Sequence, residues 1–141
     1  MGIYNEGLEP NLANRQPLSP VSFLERSALA FPSKIAVIDG SRSIDYRTLW
    51  SRCLSFADAL RRREIGCGDT VSVLSANSLG MLEAHYGVPM SGAVVNTINF
   101  RLDAATIAYI LEHCEAKMLM ASEEYLALAE AAMSAARASA S

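Results

Sequence analysis

The chain holds two histidines and three cysteines, the residue types from which metal or nucleophilic chemistry is commonly built. His85 sits in Leu82-Glu83-Ala84-His85-Tyr86, and Glu83, two residues earlier, falls off its helical face. There is no HExxH pair, and His113 and Cys114, being adjacent, point in different directions on a helix. Both histidines read as structural or surface residues, with metal ligation as the alternative. Cys53, Cys67 and Cys114 are odd in number and widely spaced, which argues against a disulfide framework and against a CxxC metal or redox pair. A nucleophile needs a base within hydrogen-bond reach; no serine sits in GxSxG, and the cysteines have no recognisable setting. Gly66-Cys67-Gly68 precedes a β-prone run, whereas the dinucleotide fingerprint follows a strand and opens a helix. No GxxxxGK[ST] loop is present, and Glu123-Glu124 reads as a helix start. These residue types predict a soluble α/β domain with no catalytic, cofactor-binding or metal residues of its own.

The elements that would position such residues follow from periodicity and caps. Ser19-Pro20 reads as an N-cap with Pro at the first helical position, opening a helix that carries Val21, Phe23, Leu24, Ala28 and Phe31 and ends at Pro32. Ile35 to Ile38 and Arg42 to Ile44 form a hairpin around Asp39-Gly40. Asp45 caps a helix over 46–63 with Leu49, Trp50, Cys53, Phe56, Ala57 and Leu60 on its buried stripe, so Trp50 is expected in the core. Arg61-Arg62-Arg63 complements the dipole at its end, a phosphate-binding cluster being the alternative. A strand at 70–74, a helix over 78–90, a strand at 93–96, a helix from the Asp103 cap to about Cys114, a strand at 117–120 and a helix from Ser122 then alternate. The β-α-β-α-β-α order predicts a parallel sheet with right-handed crossovers. Domain organisation is expected as an arm over 1–18, a partial domain over 19–125 and an alanine-rich tail over 126–141 that buries little and frays.

Composition excludes several classes. Of 141 residues, 51% are hydrophobic and 19% charged, which speaks against disorder. Twelve Lys+Arg against fifteen Asp+Glu give a net charge of -3, without the basic excess that drives nucleic-acid binding. No apolar run approaches the roughly 18 residues of a membrane span. Met1 to Pro10 lacks a basic and an apolar region, and Ala138 to Ser141 is neither a peroxisomal tripeptide nor a prenylation box, so the expected location is cytoplasmic.

One ordered set of motifs carries a resemblance. Pro17 to Arg26 reads PLSPVSFLER, Ile44 to Leu49 reads IDYRTL, and Gly66, Gly68, Asp69 and Val71 are followed by MLEAHYGVPMSGAV over Met81 to Val94. Asn96 to Asp103 reads NTINFRLD and Ile110 to Lys117 reads ILEHCEAK. The stretch 16–125 resembles the start of an AMP-forming acyl-CoA synthetase, an adenylate-forming fatty- or carboxylic-acid:CoA ligase. Thr48 and Leu79 stand where that family usually has Glu and Pro.

The resemblance implies a portion of that family's large domain. It implies a truncated ligase: the phosphate loop, the ribose-binding Asp and the small domain with the catalytic Lys lie in parts this chain does not match. The full family uses a carboxylic acid, ATP with Mg, and CoA, none of which this chain is expected to bind alone. Asn96, Asn99 and Arg101 are implied to be scaffold residues, an indirect acyl-pocket role being the alternative. Rival readings are a stand-alone module pairing with a ligase or a separately encoded remainder, and a flavodoxin-like nucleotide binder using the loop Ser75 to Gly80. Unpaired sheet edges and Met81, Met90, Met118 and Met120 are expected to expose apolar surface and promote self-association.

Overall fold

The computed structural model describes residues 19–139. The arm expected over 1–18 lies outside the described residues. Helix α1 (Pro20–Ala30) begins where the Val21 amide donates to the Ser19 hydroxyl at 3.3 Å, with Pro20 in the first turn. Strands β1 (Ile35–Asp39) and β2 (Arg42–Asp45) form an antiparallel hairpin. Its turn residues are Gly40 and Ser41, and only Gly40 has positive φ, at 59°. Asp39 therefore ends a strand instead of making the turn, which frees its carboxylate for a distant helix.

Helix α2 (Tyr46–Arg61) is capped by Asp45, whose carboxylate accepts the Thr48 amide at 2.8 Å. Then come β3 (Thr70–Leu74), α3 (Leu79–Ser91), β4 (Val94–Ile98), α4 (Ala104–His113), β5 (Ala116–Ala121), a single 3-10 turn at Glu123–Tyr125, and α5 (Leu126–Ser139). The three later strands form a parallel sheet in the order β4-β3-β5. Strand alternation divides that sheet into two faces. Val71, Val73, Val95, Met118 and Met120 meet α2 and α3 through Leu60, Met81, Ala84 and Val88. Leu74, Ile98, Leu119 and Ala121 meet α4 and α5 through Ile107, Leu111, Ala129 and Ala132. A third cluster, with Leu24, Leu49, Cys53 and Leu79, docks α1 and the hairpin against α2 and α3.

Three expectations are corrected. Trp50 is only half-buried, because the buried line of α2 is Leu49, Cys53, Ala57 and Leu60. Trp50 sits one position round the helix, on a cleft with Glu25, Ala28, Leu29, Pro32 and Arg47. The alanine-rich segment is not a fraying tail. It is α5, and Ala129 and Ala132 are buried because small side chains let its backbone lie close to α4. Among the four methionines expected at the surface, Met81 is in the core and Met90, Met118 and Met120 are partly covered.

Candidate functional site

In an open parallel sheet, ligands bind in the crevice beyond the carboxyl ends of the strands. Here that edge carries the loop after β3 (Ser75 to Ser78), the loop after β4 (Asn99 to Asp103) and Ser122 after β5. The Ser122 amide donates to the Leu74 carbonyl at 3.1 Å, stitching the β5 exit to the β3 end. Phe100 stacks on Tyr125 with ring centroids 5.1 Å apart, and the Arg101 guanidinium lies 5.7 Å from the Phe100 ring centre. The Asn99 carboxamide oxygen accepts the Arg101 amide at 3.0 Å, so Asn99 shapes its own loop. The Ser122 hydroxyl oxygen is buried without a hydrogen-bond partner among the described residues.

Asn96 points elsewhere. Its Nδ2 donates to the Ser72 hydroxyl at 3.0 Å and to the Cys114 sulfur at 3.3 Å, binding β4 to β3 and to the end of α4. Ser72 is fully buried, so this network satisfies polar atoms inside the α4 face.

Two helix starts at the carboxyl edge hold a carboxylate. The Leu79 amide at the start of α3 donates to Asp39 Oδ2 at 3.0 Å, and the Met81 amide to the Ser78 hydroxyl at 3.2 Å. At α4 the Thr106 amide and hydroxyl donate to Asp103 at 2.9 and 3.0 Å. These bonds, the amide first, hold the Asp103 carboxyl below the usual carboxylate range. Glu123 and Glu124 occupy the turn leading into α5. A phosphate needs free amides and positive potential at such a terminus. At α3 and α4 the Leu79 and Thr106 amides are thus taken by Asp39 and Asp103, and a carboxylate stands beside the Ser75 to Gly80 loop.

The histidines stay apart from one another. His85 bonds through Nδ1 to the Met81 carbonyl at 2.8 Å within α3, and His113 stacks on Tyr109 within α4. Among the described residues no group of three His, Cys, Asp or Glu could hold a metal ion. Arg62 of the arginine run pairs with Asp58 at 2.6 Å, Arg61 bonds the Met90 carbonyl, and Arg63 bonds the Ala59 carbonyl at 3.0 Å, so they close the end of α2. Two long-range pairs escaped the sequence reading: Asp39 with Leu79, and Arg52 with Glu83. Arg52 Nε donates to Glu83 Oε1, and Nη2 donates to Oε2 at 3.1 Å. The Glu83 hydrogen bond and then its charge raise the Arg52 pKa. A carboxylate set within the apolar stretch from Met81 to Val88 was the available signal for the second pair.

A three-stranded parallel sheet with helices on both faces defines an open α/β unit. The sequence profile of the AMP-binding enzyme family matches residues 24–140, and the chain belongs to that family. It is 44% identical over 128 residues to an acetate–CoA ligase of Humulus lupulus, covering 91% of this chain and 22% of that protein. It is also 44% identical over 118 residues to a peroxisomal acetate/butyrate–CoA ligase of Arabidopsis thaliana, covering 84% of this chain and 21% of the relative. A solved benzoate CoA ligase from Burkholderia xenovorans superposes with a TM-score of 0.77 at 25% identity, covering 81% of this chain and 23% of that one. The chain thus spans about a fifth of the length of these curated relatives. Among the described residues no helix is long and apolar enough to cross a membrane.

Proposed function

We propose that the chain is the opening portion of an acid–CoA ligase, and that its residues frame the sheet without performing the chemistry. The complete ligase would use ATP to make an acyl-adenylate from an aliphatic or aromatic acid, then pass the acyl group to CoA, as in fatty-acid metabolism. The carrying observation is 44% identity along nearly the whole chain to a relative of which it spans 22%. Two helix starts support the non-catalytic part of the reading: Asp39 and Asp103 accept the Leu79 and Thr106 amides, so carboxylates stand where a phosphate would need free donors. On this reading Asn96, Asn99 and Arg101 hold strand and loop, and a cofactor is bound only by the complete enzyme.

The test is acid-dependent ATP–pyrophosphate exchange with acetate, butyrate and benzoate. The purified chain should give no exchange above a buffer blank. A chimera in which residues 24–140 replace the matching segment of the hop ligase should exchange. Exchange by the chain alone, scaling with its concentration, would overturn the non-catalytic part; a folded but inactive chimera would overturn the ligase part.

The second reading is a stand-alone module pairing with a separately encoded remainder. The open outer edge of β5 favours it. Three free cysteines suit a reducing compartment, and we assign the cytosol. A tagged chain that colocalised with a peroxisomal marker would replace that assignment with the location named for the Arabidopsis relative.

A further inference from the structure

Helices α1 and α2 lie side by side with a cleft of about 350 Å³ between them. Glu25, Ala28 and Leu29 form one stripe of α1, and Pro32 continues it past the helix end. Arg47 and Trp50, three residues apart, form the facing stripe of α2. Between the two charged residues the lining is apolar. Leu29, at 78% exposed, is the most exposed large apolar side chain among the described residues. Trp50 is half-buried and is the only tryptophan of the chain.

The two charges stand at opposite ends of this cleft. The Arg47 amide donates to the Pro32 carbonyl at 3.1 Å, which puts Arg47 beside the C-terminal end of α1. Glu25 lies two turns back along α1, about 10 Å away along the axis. Neither side chain forms an ion pair among the described residues. Arg47 acts on Asp45 through its charge, but that carboxylate caps α2 by accepting the Thr48 amide.

An acid at one end of an apolar groove and a base at the other form a pattern whose complement is the same pattern turned by 180°. A two-fold axis through the middle of the cleft would set Glu25 of each copy against Arg47 of the other. It would also send each Leu29 into the other copy's cleft, against Trp50. A simple acid or amine in the same cleft would match one charge and leave the other unpaired. Two-fold pairing through one self-complementary patch is the commonest symmetry of soluble oligomers. We propose that the α1–α2 cleft is the interface of a two-fold dimer, with a second copy of the chain as its occupant. The proposal goes beyond the ligase reading and does not rest on it, and it uses no strand edge.

The test follows Trp50 fluorescence and sedimentation velocity on the 141-residue chain over one concentration series. Dimer should grow with concentration, and Trp50 emission should move to shorter wavelength along the same curve as its cleft loses water. Leu29→Glu should weaken the dimer about tenfold or more. Glu25→Arg and Arg47→Glu should each weaken it by setting like charges face to face, and the two reversals combined should restore it. All three positions are exposed, so the variants keep the fold. Val94→Glu on the sheet edge should leave the Trp50 shift in place. A monomer at every concentration, a dimer that Leu29→Glu leaves intact, or a double reversal no better than the single ones would each overturn the proposal. Self-association removed by Val94→Glu with no change at Trp50 would overturn it in favour of the sheet edge. A short-wavelength Trp50 emission independent of concentration would overturn it in favour of an occupant from the same chain.

Discussion

Gly87 on α3 lies against Phe56 on α2 so closely that a Cβ there would stand 2.4 Å from Phe56 Cδ1 and 2.9 Å from Phe56 Cβ. No side-chain rotation clears the second contact, so the helices themselves would have to separate. Gly87→Ala should therefore destabilise by about 1–3 kcal/mol through overpacking, against the ~1 kcal/mol that alanine gains in a helix interior. Adding Phe56→Ala should make the pair of changes cost less than their sum. Thermal denaturation of the single and double variants measures it; a stabilised Gly87→Ala protein would contradict it.

Arg52 and Glu83 make a second tie between the same helices. The Glu83 side chain is 10% exposed and Arg52 is 51% exposed, so only the acid has lost its water. Arg52→Ala should strand that carboxylate and cost about 1–2 kcal/mol, less than a fully buried pair because solvent still screens the site. Arg52→Ala combined with Glu83→Gln should recover part of the loss. An Arg52→Ala variant with unchanged melting would show that Glu83 finds another donor.

Thiol reactivity follows burial. Burial first, then the Glu83 charge, pushes the Cys53 thiol up to about 11, and its side chain is sealed in the core. Cys67 is exposed. Iodoacetamide at pH 8 should label Cys67 first and Cys53 only after unfolding, because the thiolate is the nucleophile. Mass mapping of the native protein that found Cys53 labelled as fast as Cys67 would contradict this.

What the sequence disclosed was local. Ser19, Asp45 and Asp103 are all N-caps in the structure, and each acts within three residues, where spacing alone is informative. The parallel order was legible because β-α-β alternation leaves few topologies. Trp50 and the alanines of α5 were misjudged because their burial depends on which helix lies opposite, which no local pattern states. Asp39 was missed for the same reason: its partner, Leu79, is 40 residues away. At the carboxyl edge, Asp39 and Asp103 are bonded to helix-start amides.

The caps also set an acid dependence. The Thr48 side chain first and its amide second hold the Asp45 carboxyl below the usual carboxylate range, and the Thr106 amide first and its side chain second lower that of Asp103. A carboxyl with a lowered folded-state pKa adds stability that is complete above its unfolded value and is lost as pH falls through the folded one. Both contributions should thus be constant above about pH 5 and fade below about pH 4. Asp45→Asn with Asp103→Asn should flatten urea stability between pH 5 and pH 3 relative to the parent. An equally steep loss in the double variant would place the acid sensitivity elsewhere.

The open edges bear on the behaviour of the isolated chain. Among the described residues β4 and β5 each have one neighbour in the sheet, and Val94, Leu126 and Met133 are exposed at 56%, 48% and 40%. Unpaired ladder groups beside apolar side chains template further strands. The chain alone should self-associate weakly with rising concentration and bind a hydrophobic dye. Sedimentation velocity over a concentration series, with dye titration at each step, makes the comparison. A compact monomer that binds no dye at high concentration would mean that helix packing already shields the edge, and the paired-module reading would then lose the observation that favours it.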